Sequence, residues 1–325
     1  MEKRSITLKN GEVYKYVEQG QGDQVLLLIH GNFSSSLHYT PLLERLPKNI
    51  KVIAPDLRGY GDSSYYRRIS SLNDFAEDVH MFMEAKEIKS YHVVGWSLGG
   101  GVALELAAHH PEAVESLVLI NSTTHKGYPV FKKGADGKPL VGEVYQSADE
   151  MANDPVQVLP LLKAQKDKNF DFVSYIFDVT IYTVNKPSVD DNKLWINESL
   201  KQRNLPDADW ALANLNMSDQ HNFYNAGMNN ISKVKAPVLH TWGDKDITVP
   251  EYMIKDNVKA LEEQSKLVVY ENCGHSPLVD VPDQLTKDIL DFIGYKGWGK
   301  THSFFIVKHW LILKINEYRS HEIRL

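Results

Sequence analysis

Cysteine is almost absent from this chain of 325 residues: Cys273 is the only one. A single thiol cannot close an intrachain disulfide, so no disulfide framework holds the fold. Long apolar runs are missing too. No stretch approaches the roughly 18 consecutive apolar residues that a membrane-spanning helix needs. The opening, MEKRSITLKNGEVYKYVEQG, carries basic residues with no apolar run behind them, unlike a secretory signal. A cytoplasmic protein is therefore expected. Neither sign of charge dominates. The formal net charge of -6 argues against a general nucleic-acid binder. No His, Cys or carboxylate pair has metal-ligand spacing, so no metal and no cofactor is expected. The glycine-rich loop Asp56–Ser63 lacks the Gly-Lys-Ser/Thr ending of a phosphate loop and reads as bracing. Internal repeats and low-complexity tracts are also lacking.

What remains is an ordinary globular composition, 42% hydrophobic and 24% charged, which makes disorder or a fibre a poor expectation. Ser5–Leu8 and Glu12–Glu18 read as two short strands around the Asn10-Gly11 turn, where both residues tolerate positive φ. Gln24–His30 is a continuous apolar run, the pattern of a strand buried on both faces. Lys51–Pro55, Tyr91–Gly95, Ser116–Ile120 and Val238–Trp242 look alike, and Leu267–Tyr270 follows last. Helical spacing appears over Leu72–Ile88, Leu98–His109, Pro250–Glu263 and Pro282–Phe292. Strands alternating with helices predict a mostly parallel α/β sheet with right-handed crossovers.

The alternation breaks over residues 123–231. Helical patterns and many aromatics occur there, among them Phe170, Phe172, Tyr175, Phe177, Tyr182, Trp195, Trp210, Phe223 and Tyr224. This stretch is expected to form a helical cap inserted into a core made of residues 1–122 and 232–295. Most of its aromatics should form the cap's own core, and some should line a pocket. The tail, 296–325, is apolar with interspersed lysines and is expected to form an amphipathic helix or a frayed extension.

Four short segments carry chemistry. Gly95-Trp96-Ser97-Leu98-Gly99 fits G-x-S-x-G between an apolar strand and a helix, the context that motif requires. Small flanking residues permit a sharp turn that lifts the Ser97 hydroxyl, and the Leu98 N–H can then face a developing oxyanion. His30-Gly31-Asn32-Phe33 ends an earlier apolar strand, with His30 expected to brace the loop. Gly243-Asp244-Lys245-Asp246 ends another and offers two carboxylates. Cys273-Gly274-His275 follows the last strand; Cys273 reads as a small buried thiol, and His275 as a base.

Together these motifs resemble the α/β-hydrolase superfamily over nearly all of the chain to about Tyr295. The resemblance implies the triad order Ser…Asp…His, with Ser97 as nucleophile, His275 as base and Asp246 as the acid. Asp246 lies deeper in its loop than Asp244, which is expected to brace the turn. A second acid position, after the strand ending at Ile120, holds Asn121. The resemblance also implies that the His30–Phe33 loop supplies an oxyanion donor. The Asn32 N–H is the candidate and Phe33 its near rival.

A closer resemblance is to intracellular polyhydroxybutyrate depolymerases. It rests on GWSLGGGVAL, on Gly127–Lys133 (GYPVFKK), on Asp154–Leu159 (DPVQVL) and on Ser218–Asn222 (SDQHN). That family implies hydrolysis of a 3-hydroxybutyrate polyester or its oligomers, with a granule surface as partner. The tail after Tyr295 departs from the family pattern. The HGN segment also resembles haloalkane dehalogenases, but those require an aspartate nucleophile where this chain has Ser97. The alternatives are a general carboxylesterase or lactonase and, from another class, a non-catalytic binding protein on the same fold.

Overall fold

The computed structural model describes residues 1–295, and the amphipathic helix expected in the tail lies outside them. Among the described residues ten strands occur in chain order: β1 (Arg4–Thr7), β2 (Val13–Gln19), β3 (Val25–Ile29), β4 (Lys51–Pro55), β5 (Tyr91–Trp96), β6 (Val114–Ile120), β7 (Phe131–Lys133), β8 (Pro139–Val144), β9 (Val238–Gly243) and β10 (Ser265–Tyr270). Eight of them form one sheet in the order β1-β2-β4-β3-β5-β6-β9-β10. Strand β2 runs antiparallel to β1 and β4. From β4 to β10 every neighbouring pair is parallel. This is the α/β-hydrolase fold anticipated from the sequence.

Three connecting helices carry the packing around the first half of the sheet: α1 (Thr40–Arg45), α2 (Leu72–Ala85) and α3 (Leu98–His109). All five residues of β3 are buried, as a strand covered on both faces requires. Helix α2 starts at a capping box, with Ser71 accepting from the Asp74 N–H and Asp74 from the Ser71 N–H. It buries Phe75, Val79 and Phe82 at helical spacing. Helix α3 is buried from Leu98 to Ala108, so it lacks the polar face of a surface helix.

After β6 the chain leaves the sheet and returns at β9. Between them lie α4 (Ala148–Met151), α5 (Leu159–Lys166), α6 (Phe170–Thr180), α7 (Val189–Ser199) and α8 (Leu205–Asn214). Helices α9 (Glu251–Ala260), α10 (Pro277–Asp280) and α11 (Pro282–Phe292) follow. None of the described helices is long and apolar enough to cross a membrane.

Some boundaries differ from the sequence reading. Helix α2 stops at Ala85 rather than Ile88, because Glu87 turns left-handed at φ 58°. Helix α9 ends at Ala260, three residues before the expected Glu263. At the first turn only Gly11 adopts positive φ, and its N–H donates to Leu8 O (2.9 Å). The segment after β6 also holds an unexpected hairpin, β7–β8, around Asp136 and Gly137. Most of β8 is exposed, so it shows no buried apolar run to read.

A buried charge cluster pins the N-terminal strands to α2. Arg58 Nε donates to Asp78 Oδ2 (2.6 Å), Tyr14 OH to the same oxygen (3.0 Å), and Asn10 Nδ2 to Oδ1 (2.7 Å). Asp78 has no exposed side-chain surface. Removing one partner of a buried pair strands the other charge, at about 3–5 kcal/mol. Asp78→Ala should therefore lower unfolding stability by about that amount, measured by urea titration. A loss under about 1 kcal/mol would show that the cluster is solvated rather than structural.

Candidate active site

Ser97 sits between β5 and α3 at φ 56°, ψ -118°, a conformation that costs a non-glycine residue free energy. The turn is tight because the backbones on either side touch. A Cβ on Gly95 would lie 2.4 Å from Gly99 O, and one on Gly99 would lie 2.1 Å from Ile29 O. Only glycine fits either place. The Ser97 N–H donates to Ile120 O (3.0 Å), and Ser97 O accepts from the Gly100 N–H (3.0 Å). These bonds fix the turn while the residue stays partly exposed.

His275 lies in the loop after β10 and is buried. Its Nδ1–H donates to Asp246 Oδ2 (2.8 Å). A carboxylate only accepts, so Nδ1 carries a proton at this bond. The Trp96 indole N–H donates to His275 O (2.9 Å), tying the histidine's backbone to the residue before Ser97. Asp246, in the loop after β9, accepts from the N–H groups of Thr248 (2.8 Å) and Val249 (2.9 Å) through Oδ1. Burial alone would raise its pKa. The adjacent His275 imidazole, with hydrogen bonds from its ring, the Val249 N–H and Asn121, outweighs burial and holds the carboxyl below its usual range.

Asp244 faces elsewhere. It accepts from the Cys273 N–H (3.2 Å) and pairs with Lys245 (3.3 Å). The geometry therefore brings Asp246 rather than Asp244 to the imidazole. Cys273 is fully buried, and burial together with nearby Asp280 pushes its thiol up, away from thiolate chemistry.

Sequence reasoning missed Asn121. It stands at φ 42° just after β6, and its Nδ2 donates to Asp246 Oδ2 (2.6 Å) and Gly274 O (3.1 Å). It thus ties the acid's loop to the histidine's. The signal was its position, where a carboxylate was looked for and an amide was found.

The loop after β3 meets the serine turn edge to edge: a Cβ on Gly31 would lie 3.2 Å from Ser97 Cβ. His30 Nε2 accepts from the Leu57 N–H (3.0 Å), and Nδ1 lies 2.8 Å from Gly31 O. Burial pushes its pKa down to about 4, so it stays neutral and braces the loop. The Phe33 N–H donates to Asn32 Oδ1 (3.0 Å), which engages the rival oxyanion donor and leaves the Asn32 N–H as the candidate. Leu98 begins α3, so its N–H has no partner one turn earlier in that helix.

A chain of aromatic rings runs from His275 to the segment between β6 and β9. Trp96 lies 5.8 Å from the His275 ring and 6.3 Å from His38, which stacks on Trp195 at 5.6 Å. Phe177 lies 6.1 Å from Phe33 and 5.5 Å from Tyr182. Of the aromatics noted in the sequence, Phe177 and Trp195 thus pack on Phe33 and His38 after β3, with Tyr182 behind them. Trp210 pairs with Tyr224 (5.8 Å), and Phe223 with Phe131 (5.1 Å). Among the described residues one acidic group, Asp56, Asp62 and Glu198, has cation-binding spacing. The Lys3 ammonium lies 2.7, 2.9 and 2.5 Å from its three oxygens and supplies the counter-charge.

The chain is similar to Lipase 1 of Psychrobacter immobilis, at 28% identity over 90% of this chain and 84% of that one. It is 26% identical to a pimeloyl-[acyl-carrier protein] methyl ester esterase of Vibrio vulnificus, over 85% of this chain and 96% of the other. An esterase from Exiguobacterium antarcticum superposes with a TM-score of 0.67 at 18% identity, over 89% of this chain and 98% of that one. A bromoperoxidase from Bacillus anthracis superposes equally well, at 0.68 and 19% identity over 90% and 99%. Fold likeness alone thus leaves the chemistry open, as expected of a widely used fold. The model of the alpha/beta hydrolase fold family matches residues 24–282, more than half of the sequence, and the chain belongs to that family.

Proposed function

We propose that this protein hydrolyses carboxylic esters through an acyl-enzyme on Ser97, with His275 as base and Asp246 as its orienting acid. One observation carries the reading. The His275 Nδ1–Asp246 Oδ2 bond of 2.8 Å sets the tautomer a base needs, beside a serine raised at φ 56° on a strand–helix turn. The likeness to a lipase and a methyl ester esterase supports the same class of bond.

Ser97 Oγ bonds to the ester carbonyl carbon while His275 Nε2 takes its proton. Asp246 stabilises the imidazolium so formed. The carbonyl oxygen becomes an oxyanion held by the N–H groups of Asn32 and Leu98, worth about 3–4 kcal/mol each. The carbon–alkoxide bond then breaks, and His275 returns the proton to the leaving alcohol. Water attacks the acyl-enzyme with His275 again taking a proton, and Ser97 departs reprotonated. A Ser97 Oγ–His275 Nε2 hydrogen bond forms in the substrate complex, since catalytic hydrogen bonds often close only there. No step draws on a metal or cofactor.

The substrate reading rests on the motif resemblance: a 3-hydroxybutyrate polyester or its oligomers, met at a granule surface in the cytoplasm. The named relatives favour a second reading, a general carboxylesterase or lactonase acting on small acyl substrates.

Amorphous polyhydroxybutyrate granules separate the two. Release of 3-hydroxybutyrate by the wild type, with none from Ser97→Ala, is the expected result. Cleavage of nitrophenyl esters without release from granules would reject the polyester and keep the esterase. A second outcome tests the acid. Asp246→Asn should lower kcat by about 10⁴, as for other triads, while Asp244→Asn keeps most activity. The reverse order would move the acid to Asp244. A fluorophosphonate should label wild type but not Ser97→Ala; an unlabelled wild type would leave a binding protein.

A further inference from the structure

Asn32 is held by its side chain at both ends. Its Oδ1 accepts from Tyr60 OH (2.8 Å), Gln202 Nε2 (3.0 Å) and its neighbour's N–H. Its Nδ2 donates to Asp209 Oδ1 (3.0 Å). Asp209 lies on α8, in the segment between β6 and β9, 177 positions further along the chain. It is almost fully buried, and among the described residues no Lys, Arg or His pairs with it.

An unpaired buried carboxyl is costly to a fold. Here burial, with the nearby charge of Asp154, pushes the Asp209 pKa up to about 7, and the bonds from Asn32 and Gln157 pull it part of the way back. Burial and the Asp209 charge together push the Tyr60 and Tyr128 hydroxyls up. A leucine would fill such a place more cheaply if packing were its only task. The bond to Asn32 is what an apolar residue cannot make.

Bonds other than those of Asp209 hold the start of helix α8. The Arg203 N–H donates to Gly59 O (2.8 Å), and Asn204 Nδ2 to Arg58 O (2.7 Å). These bonds seat the start of the helix on the loop after β4. Asp209 is thus a fixed acceptor to which the loop after β3 is tied.

We propose that Asp209 is a positioning residue for ester hydrolysis: it holds the Asn32 amide, and so aims the Asn32 backbone N–H at the oxyanion. It touches no substrate and acts only through Asn32. The inference rests on the proposed reaction at Ser97. Because an oxyanion donor works in the transition state, its misalignment lowers kcat more than it alters KM.

The test uses the full chain with 4-nitrophenyl butyrate and a butyl trifluoromethyl ketone, which adds to the serine as an oxyanion. Asp209→Ala should lower kcat and ketone affinity by about 10- to 100-fold, part of the loss seen when an oxyanion donor is removed. KM should stay within about two-fold. Asp209→Asn keeps an oxygen for Asn32 Nδ2 and should recover most of the loss. Asn32→Ala cuts the same link from the other side, keeps its own N–H and should match Asp209→Ala; it serves if that variant does not fold. Unchanged kcat in Asp209→Ala or Asn32→Ala, or equal losses in Asp209→Ala and Asp209→Asn, would overturn the inference. A wild type that no fluorophosphonate labels would instead count against the reaction itself.

Discussion

The close approach of α3 to β3 governs much of this molecule. Gly99 lies so near Ile29 O that no side chain fits between them, and Gly95 is crowded in turn by Gly99. Packing at that distance leaves one residue, Ser97, to reverse the chain between strand and helix, and it does so at positive φ. The strain is local, while the burial that sustains it is spread over β3, β5 and nearly all of α3. A serine on a relaxed turn would lie lower against the sheet. Here it is raised at the edge where the loops after β3, β6, β9 and β10 converge.

Those loops do unequal work. The one after β10 brings His275, which the Trp96 indole holds through the backbone, leaving the ring free to be oriented by Asp246. The Asp246 carboxylate accepts two backbone N–H groups on one oxygen, and Asn121 and His275 on the other. Four donors around one buried carboxylate keep it ionised against its burial. An ionised acid at that point is what makes the Nδ1-protonated form of His275 the stable one.

How much of this was legible in the sequence depended on range. Ser97, Leu98 and His275 were readable because their signals are local: a glycine-flanked serine between strand and helix, and a histidine after the last strand. Asp246 against Asp244 was a choice between neighbours, and only the turn geometry sends one inward and the other to the Cys273 N–H. Asn121 and Asp209 were not legible. Each is a polar residue whose meaning lies in a partner 125 or 177 positions away. The β7–β8 hairpin escaped for another reason: its exposed strand has no buried face to impose a pattern. The end of α2 was overrun because Ile88 keeps the apolar period while Glu87, a residue with no left-handed preference, breaks the helix.

The sequence pattern over 123–231 predicts a helical cap, inserted between two sheet strands, whose aromatics mostly form its own core. Its contacts argue for a closer involvement. Phe177 and Trp195, backed by Tyr182, pack on Phe33 and His38 in the stretch after β3. Gln202 and Asp209 bond the side chain of Asn32 directly. A change in that segment therefore reaches the site along two routes, one apolar and one polar. The apolar route runs through His38 to the Trp96 ring, which lies against His275. The polar route ends on Asn32, whose neighbour Gly31 lies against the Ser97 turn.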